Sequence, residues 1–248
     1  MARISQHRDA IVQTSVRLFR KQGFAGTGLN QIVQDSGAPK GSLYHYFPGG
    51  KDAIGAAAVA WAGQRVEHTL AKLAQDVGEP ADIIRRYALL LAGWIEKSGY
   101  RDGCPIATIL LELAPEAEAI RLSGEAALAD WAAVFSRALE AKRVPAPRAK
   151  RLAAMAIAAV EGALLQARVA VQQQPLLDVA EEIALAFDAA IRDAQGAADS
   201  ASAAGEVQHA EAGVEPERAF PSEADAVSAP KKRPPPRSTA ARSGSKQP

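Results

Sequence analysis

Residues 23–51 read GFAGTGLNQIVQDSGAPKGSLYHYFPGGK, and the punctuation of this stretch decides the fold. Gly37-Ala38-Pro39 separates two short segments of helical spacing, 29–36 and 40–46. Proline disfavours a helical predecessor and cannot donate to the ladder, so one helix stops before it and another starts after it. Phe47-Pro48-Gly49-Gly50 ends the second segment. A supporting helix is expected over residues 5–22, where Ile11, Val12, Ser15, Leu18 and Phe19 make one core-facing stripe. Gly23 is placed to take the left-handed position that stops it, and Thr27 to cap the helix that follows. Two short helices joined by a tight turn on a third are a helix-turn-helix unit.

The second short helix is the candidate recognition helix. Seven residues span about 10 Å at 1.5 Å each, enough to put one end into a major groove about 12 Å wide. Leu43 and Phe47, four apart, face the core with Phe19, Ile32 and Val33. Lys40, Ser42, Tyr44, His45 and Tyr46 are left for the outward side, with no acidic residue among them to repel DNA. Either tyrosine can instead be a packing residue. Residues 1–65 hold eight Lys/Arg against three Asp/Glu, a net of +5, and residues 66–195 hold 14 against 18, a net of −4. A basic head on a mildly acidic body points to a polyanion partner for the head alone.

The rest of the chain also reads as helix, with no convincing alternating strand pattern. A long helix is expected over 51–76 and another over 80–97, with Ile83, Ile84, Tyr87, Leu91, Trp94 and Ile95 on its apolar side. A short one lies between Pro105 and Pro115, and a longer one at 116–142 carries Leu128, Trp131, Val134 and Phe135. Residues 147–173 and 175–193 form a closing hairpin. After residue 195 hydrophobic spacing gives way to Ala, Ser, Glu, Pro and Gly, a composition that cannot offset the entropy of ordering. Residues 196–225 carry seven acidic residues and one basic, and 226–248 six basic and no acidic. The fold class is therefore all-α: a head at 6–66, a helical body at 67–195 and a disordered tail at 196–248.

Cysteine usage and motif spacing narrow the function. Cys104 is the single cysteine, which excludes an intramolecular disulfide and a cysteine-only metal cage, and it reads as a buried structural thiol or a redox sensor. Residues 1–10 are polar and charged where a signal peptide would be apolar, and stretches such as 56–62 are too short to span a bilayer, so no membrane partner and a cytoplasmic location are expected. Gly50-Lys51 lacks the earlier glycine of a phosphate-binding loop, since His45 stands there, and Asp52 replaces the Ser/Thr that binds magnesium. His7, His45, His68 and His209 are scattered, so neither a metal site nor a helical-bundle enzyme is expected, and no cofactor.

The run from Gly23 to Lys51 resembles the helix-turn-helix signature of the TetR family of regulators. The matching pieces are Gly23-Phe24, Thr27, Leu29, Ile32, Val33, Gly37, the core Lys40-Gly41-Ser42-Leu43-Tyr44-His45-Tyr46-Phe47 and Lys51. The resemblance implies phosphate contacts from Thr27 and Lys40, and close backbone approach at Gly41. It puts Ser42, Tyr44 and His45 against bases or phosphates, and makes Tyr46 and Lys51 clamps on the DNA backbone. Two departures are Gly28, where many members carry a polar residue, and a Pro48-Gly49-Gly50 loop one residue longer than the commonest.

Gly103-Cys104-Pro105-Ile106-Ala107 with Leu110-Leu111-Glu112 is similar to a stretch of the lincomycin-resistance and flavonoid-responsive repressors, and Glu161-Gly162-Ala163-Leu164-Leu165 resembles a TetR dimerisation segment. Together these imply a homodimer through about 147–193, paired on a palindromic double-stranded DNA operator and released by a small apolar effector. Ala156, Ala159, Ala163 and Ala167 would let a partner helix approach, with Leu176, Ile183, Phe187 and Ile191 as the larger stripe. The other reading makes both helices internal core. The implied effector pocket has Trp61, Tyr87, Trp94, Cys104, Trp131 and Phe135 as candidate lining residues. A third possibility is an interaction module whose Lys231-Lys232-Arg233 tail binds nucleic acid without specificity.

Overall fold

Helix boundaries fall where the breaker residues put them. The computed structural model describes residues 2–211, with side chains from residue 6 to residue 199. The described residues form α1 (Ala2–Gln22), α2 (Leu29–Ser36), α3 (Lys40–Tyr46), α4 (Gly50–Val77), α5 (Pro80–Lys97), α6 (Ala107–Leu113), α7 (Glu118–Ala141), α8 (Ala146–Ala170) and α9 (Gln174–Glu211), with no strand among them. Gly37 ends α2 at φ 65°, and Gly23 at φ 79° closes α1 with its amide on the Phe19 carbonyl at 2.9 Å. Both need the left-handed region that a Cβ disfavours.

The head is α1, α2 and α3 around Ile11, Phe19, Phe24, Ile32, Leu43 and Phe47, all buried. The Phe19 and Phe24 rings lie 5.1 Å apart. The cap of α2 differs from expectation. Gly28 takes the extended cap position without a side-chain bond, while Thr27 lies beneath the turn and donates its hydroxyl to the Gly23 carbonyl at 2.7 Å. The threonine closes the preceding turn rather than the following helix.

α4 passes from head to body without a break, so the expected 66/67 boundary falls inside a helix. Its most extensive partner is α7. The two helices cross closely at Gly63, where an added Cβ would stand 2.6 Å from the Ala127 Cβ. One turn further along α7, the Trp131 indole N–H donates to the Gly63 carbonyl at 2.8 Å. Higher on α4, Gly55 leaves room for Phe24 from the head and Ile120 from α7. One helix thus carries both cores.

The closing hairpin corrects the expected faces. Ala156, Ala163 and Ala167 are fully buried within the chain, as are Leu176, Ile183 and Phe187, and Phe187 packs 5.9 Å from Phe135. Small residues here admit the chain's own helices rather than a partner's. α8 is long and apolar enough by composition to cross a bilayer, and it buries part of that apolar surface in the bundle through Ala149, Ile157, Val160 and Leu164.

α9 runs past residue 195 to Glu211, where disorder was expected. Hydrophobic spacing does stop there, but the Ala-rich segment keeps high intrinsic helix propensity. The remainder of the expected tail, with Lys231-Lys232-Arg233, lies outside the described residues. The chain divides into a unit of residues 1–204 and a second of 205–248, of which the helical residues 205–211 are described.

The α4–α7 crossing yields a stability prediction. Gly63→Ala gains about 1 kcal/mol of helix propensity but forces a methyl against the rigid Ala127 methyl, and overpacking costs about 1–3 kcal/mol. The variant is expected to unfold at lower urea concentration than the parent with an unchanged slope, and an equal or higher midpoint would refute the close-crossing account.

Candidate nucleic-acid interface and body cavity

α3 is held from below and open above. Leu43 is fully buried and Phe47 nearly so, with the Arg8 guanidinium 5.7 Å from the Phe47 ring. Lys40, Gly41, Tyr44 and His45 are exposed, Tyr44 by 64%. Ser42 is half-buried and reachable from the same side. Tyr46 is also half-buried, packed against the core and edge-on to His45 at 5.0 Å. A tyrosine that rests its ring on the core can still present its hydroxyl at the rim. Residues 36–51 contain no Asp or Glu, so no fixed negative charge belongs to this face.

Thr27 and Lys51 both have partners within the chain. Thr27 is 1% exposed, its hydroxyl is bonded to Gly23 and its amide to the Phe24 carbonyl at 3.1 Å. With both donors committed, it shapes the turn and is removed from the phosphate set. Lys51 starts α4 with its ammonium 4.4 Å from the centre of the Phe24 ring and 3.5 Å from the Ala25 carbonyl. It rests on the α1–α2 turn, half-buried, with its charge at the edge of the head.

That turn has a partner in the body which sequence reading missed. The Glu112 carboxylate on α6 accepts from the Phe24 amide at 2.9 Å and the Ala25 amide at 2.7 Å. A second link joins Arg20 on α1 to Asp102 at 2.7 Å, with the Arg20 guanidinium 5.8 Å from the Trp94 ring. Glu112 stood in a quoted motif without a role. Arg20 and Asp102, 82 positions apart, carried no signal.

The body contains a small cavity of about 60 Å³ that brings together Tyr87, Trp94, Cys104 and Trp131. Trp61 lines a larger adjoining cleft of about 800 Å³, which Tyr87 and Trp94 share. Phe135 lines neither and is withdrawn from the pocket set. It is fully buried against Phe187, because its position on α7 faces the closing hairpin.

The cavity also holds Glu161, an acid alone in an apolar run of α8 that the sequence reading had assigned to dimerisation. Burial raises its pKa, and the facing Cys104 thiol opposes that only in part. Burial, then the Glu161 charge, push the Cys104 thiol well above its ordinary range. Such a thiol is a poor nucleophile, and burial likewise raises the pKa of the Tyr87 hydroxyl. Burial thus favours the protonated form of all three groups.

Comparison with known proteins bears on both halves. A family model for bacterial regulatory proteins of the TetR family matches residues 11–58. A second, for the C-terminal domain of LmrA/YxaF-like transcriptional regulators, matches residues 80–182. The chain is 34% identical over 176 residues to the HTH-type transcriptional regulator YxaF of Bacillus subtilis, covering 71% of this chain and 92% of that protein. It is 33% identical over 172 residues to LmrA of the same organism, covering 69% and 92%. Among solved structures, Escherichia coli NemR in its reduced form superposes with a TM-score of 0.62 at 27% identity, covering 71% of this chain and 94% of that one. A TetR regulator from Chloroflexus aurantiacus gives 0.64 at 25% identity, covering 75% and 96%.

The raised pKa of Glu161 has a definite sign. The folded chain holds this proton more tightly than the unfolded chain, so its contribution to stability is fully present below the ordinary carboxylate range and is lost as pH rises through the folded value. Glu161→Gln keeps the shape and removes the titration. Urea unfolding should find the variant more stable than the parent at neutral pH, with the difference gone below about pH 4. A variant less stable at neutral pH would show that the carboxylate is stabilised there.

Proposed function

Because the chain belongs to the TetR family of bacterial transcriptional regulators, with a C-terminal domain of the LmrA/YxaF-like type, we propose that it is a ligand-responsive repressor that acts in the cytoplasm. In this reading a homodimer grips a palindromic operator through paired α3 helices and is released by a small effector bound in the body. The observation that carries the reading is the α3 face: a short helix pinned by Leu43, with Lys40, Tyr44 and His45 exposed and no acid within residues 36–51. The similarity to NemR, a transcriptional repressor, supports the direction of control.

The contacts divide by chemistry. Lys40 and Lys51 are phosphate partners on the two sides of the groove, and Gly41 lets the backbone close on the DNA. Ser42, Tyr44 and His45 reach base edges or phosphates, and Tyr46 adds a phosphate contact from the rim. Phosphate contacts fix register, and base contacts specify sequence. Binding of an effector among Trp61, Tyr87, Trp94, Cys104 and Trp131 acts on the head through α4 and through the links at Glu112 and Arg20. Release then requires only that the effector prefer the body arrangement that disfavours operator spacing.

Dimerisation belongs to the outer face of residues 147–193. Met155, Leu165 and Val169 on α8 and Leu185 on α9 are exposed. Positions 155, 158, 162, 165 and 169 share one helical face, where Gly162 and Ala158 allow close approach. Two such hairpins make a four-helix interface.

Two measurements test this reading. Lys40→Ala should weaken binding to operator and random DNA alike and lower the slope of log affinity against log salt by about one, since one counterion fewer is released. An unchanged slope would remove Lys40 from the phosphate set. Leu165→Glu places a charge in the dimer face without touching the core, and sedimentation should show monomers at concentrations where the parent is dimeric. A variant that remains dimeric would move the interface elsewhere.

A further inference from the structure

The cleft of about 800 Å³ lies between α1, α4 and α5, and its wall chemistry is one-sided. Trp61 and Trp94 give it two aromatic faces, and Arg17, Arg20, Arg65 and Lys97 surround them, with no Asp or Glu among the lining residues. Two of these cations are already matched from outside the cleft, Arg17 by Asp35 at 3.6 Å and Arg20 by Asp102 at 2.7 Å. The other two are not. Arg65 lies with its guanidinium 5.1 Å from the Trp61 ring, and neither it nor Lys97 enters an ion pair among the described residues. The Arg20 Nε is buried without a hydrogen-bond partner, so this guanidinium also has a donor to spare.

Charge sorts the possible occupants. A cation would meet two unmatched like charges and no lining acid, and a neutral apolar molecule would cover Arg65 and Lys97 without giving them a partner. An organic anion satisfies both requirements: its apolar body covers the tryptophan faces and its carboxylate accepts charge-assisted hydrogen bonds from the rim. We propose that this cleft binds an amphipathic organic carboxylate, with the carboxylate held by Arg65 and Lys97. The assignment rests on the ligand-responsive reading above and names the chemical class of its effector.

The same geometry connects the ligand to the head. Arg20 belongs to α1, and its bond to Asp102 ties the head to the body. Arg20 also lines the cleft, so a bound ligand lies beside the contact that ties the head to the body.

Calorimetry on the full chain tests the assignment, with naphthoate as the probe beside its neutral isostere naphthylmethanol and its cationic isostere naphthylmethylammonium. Naphthoate is expected to bind about tenfold more tightly than either isostere. Arg65→Ala and Lys97→Ala, both on exposed side chains, should each weaken naphthoate about fivefold and leave naphthylmethanol unchanged, with circular dichroism as the check on folding. Equal affinity for the three probes, preference for the cation, or indifference of naphthoate to both substitutions overturns the proposal. A DNA fragment selected with the full chain separates it from the parent reading. Naphthoate binding with the expected charge preference but no loss of DNA affinity upholds the cleft assignment and defeats ligand release. DNA release by a neutral ligand, with no naphthoate binding, does the reverse.

Discussion

The crossing of α4 and α7 at Gly63 is the constraint on which the rest of the molecule depends. Removing one side chain lets the helices approach until the Ala127 methyl fills the space, and the Trp131 indole locks the arrangement onto the Gly63 carbonyl. α4 is also the helix that enters the head, where Gly55 admits Phe24. The position of the head core is thus referred along one rod to a contact deep in the body. A shift at either end cannot be absorbed locally, because close-packed interiors transmit displacement rather than damp it.

Around that rod, the head is steered by a few polar contacts of modest strength. Glu112 holds two amides of the α1–α2 turn, and Arg20 reaches Asp102. Glu112 is exposed and the Arg20–Asp102 pair is only partly buried, so each contact is worth on the order of 1 kcal/mol. Contacts of that size hold one orientation without making it permanent. The apolar packing supplies stability, and the polar contacts supply direction.

The head was legible because its boundaries are set by residues with strong local rules. Gly37 and Pro39 place the turn, and α2 and α3 begin and end at the expected residues. Leu43 and Phe47 were readable as anchors from spacing alone. What periodicity could not say is which surface covers a face. Ala156, Ala163 and Ala167 share a face, but alanine suits the chain's own core as well as a partner's, and here the core takes it. Thr27 looked like a cap or a phosphate donor because a free hydroxyl suits either, and its bond to Gly23 ended both uses. Aromatic character alone suits Phe135 to a pocket, but its neighbour across the bundle is another phenylalanine. Hydrophobic spacing does not mark the continuation of α9 past residue 195, because alanine favours helix without it.

The Glu112 contact also ties an early part of the chain to a much later one. The turn at Phe24 and Ala25 emerges early, yet the carboxylate that accepts its amides lies 88 and 87 positions later in the chain. A nascent head can form its helices and much of its small core from local contacts, which close quickly. Its final turn waits until α6 has been made. Without α6 the two amides are left to water, so this turn is a part of the head that local contacts alone do not complete.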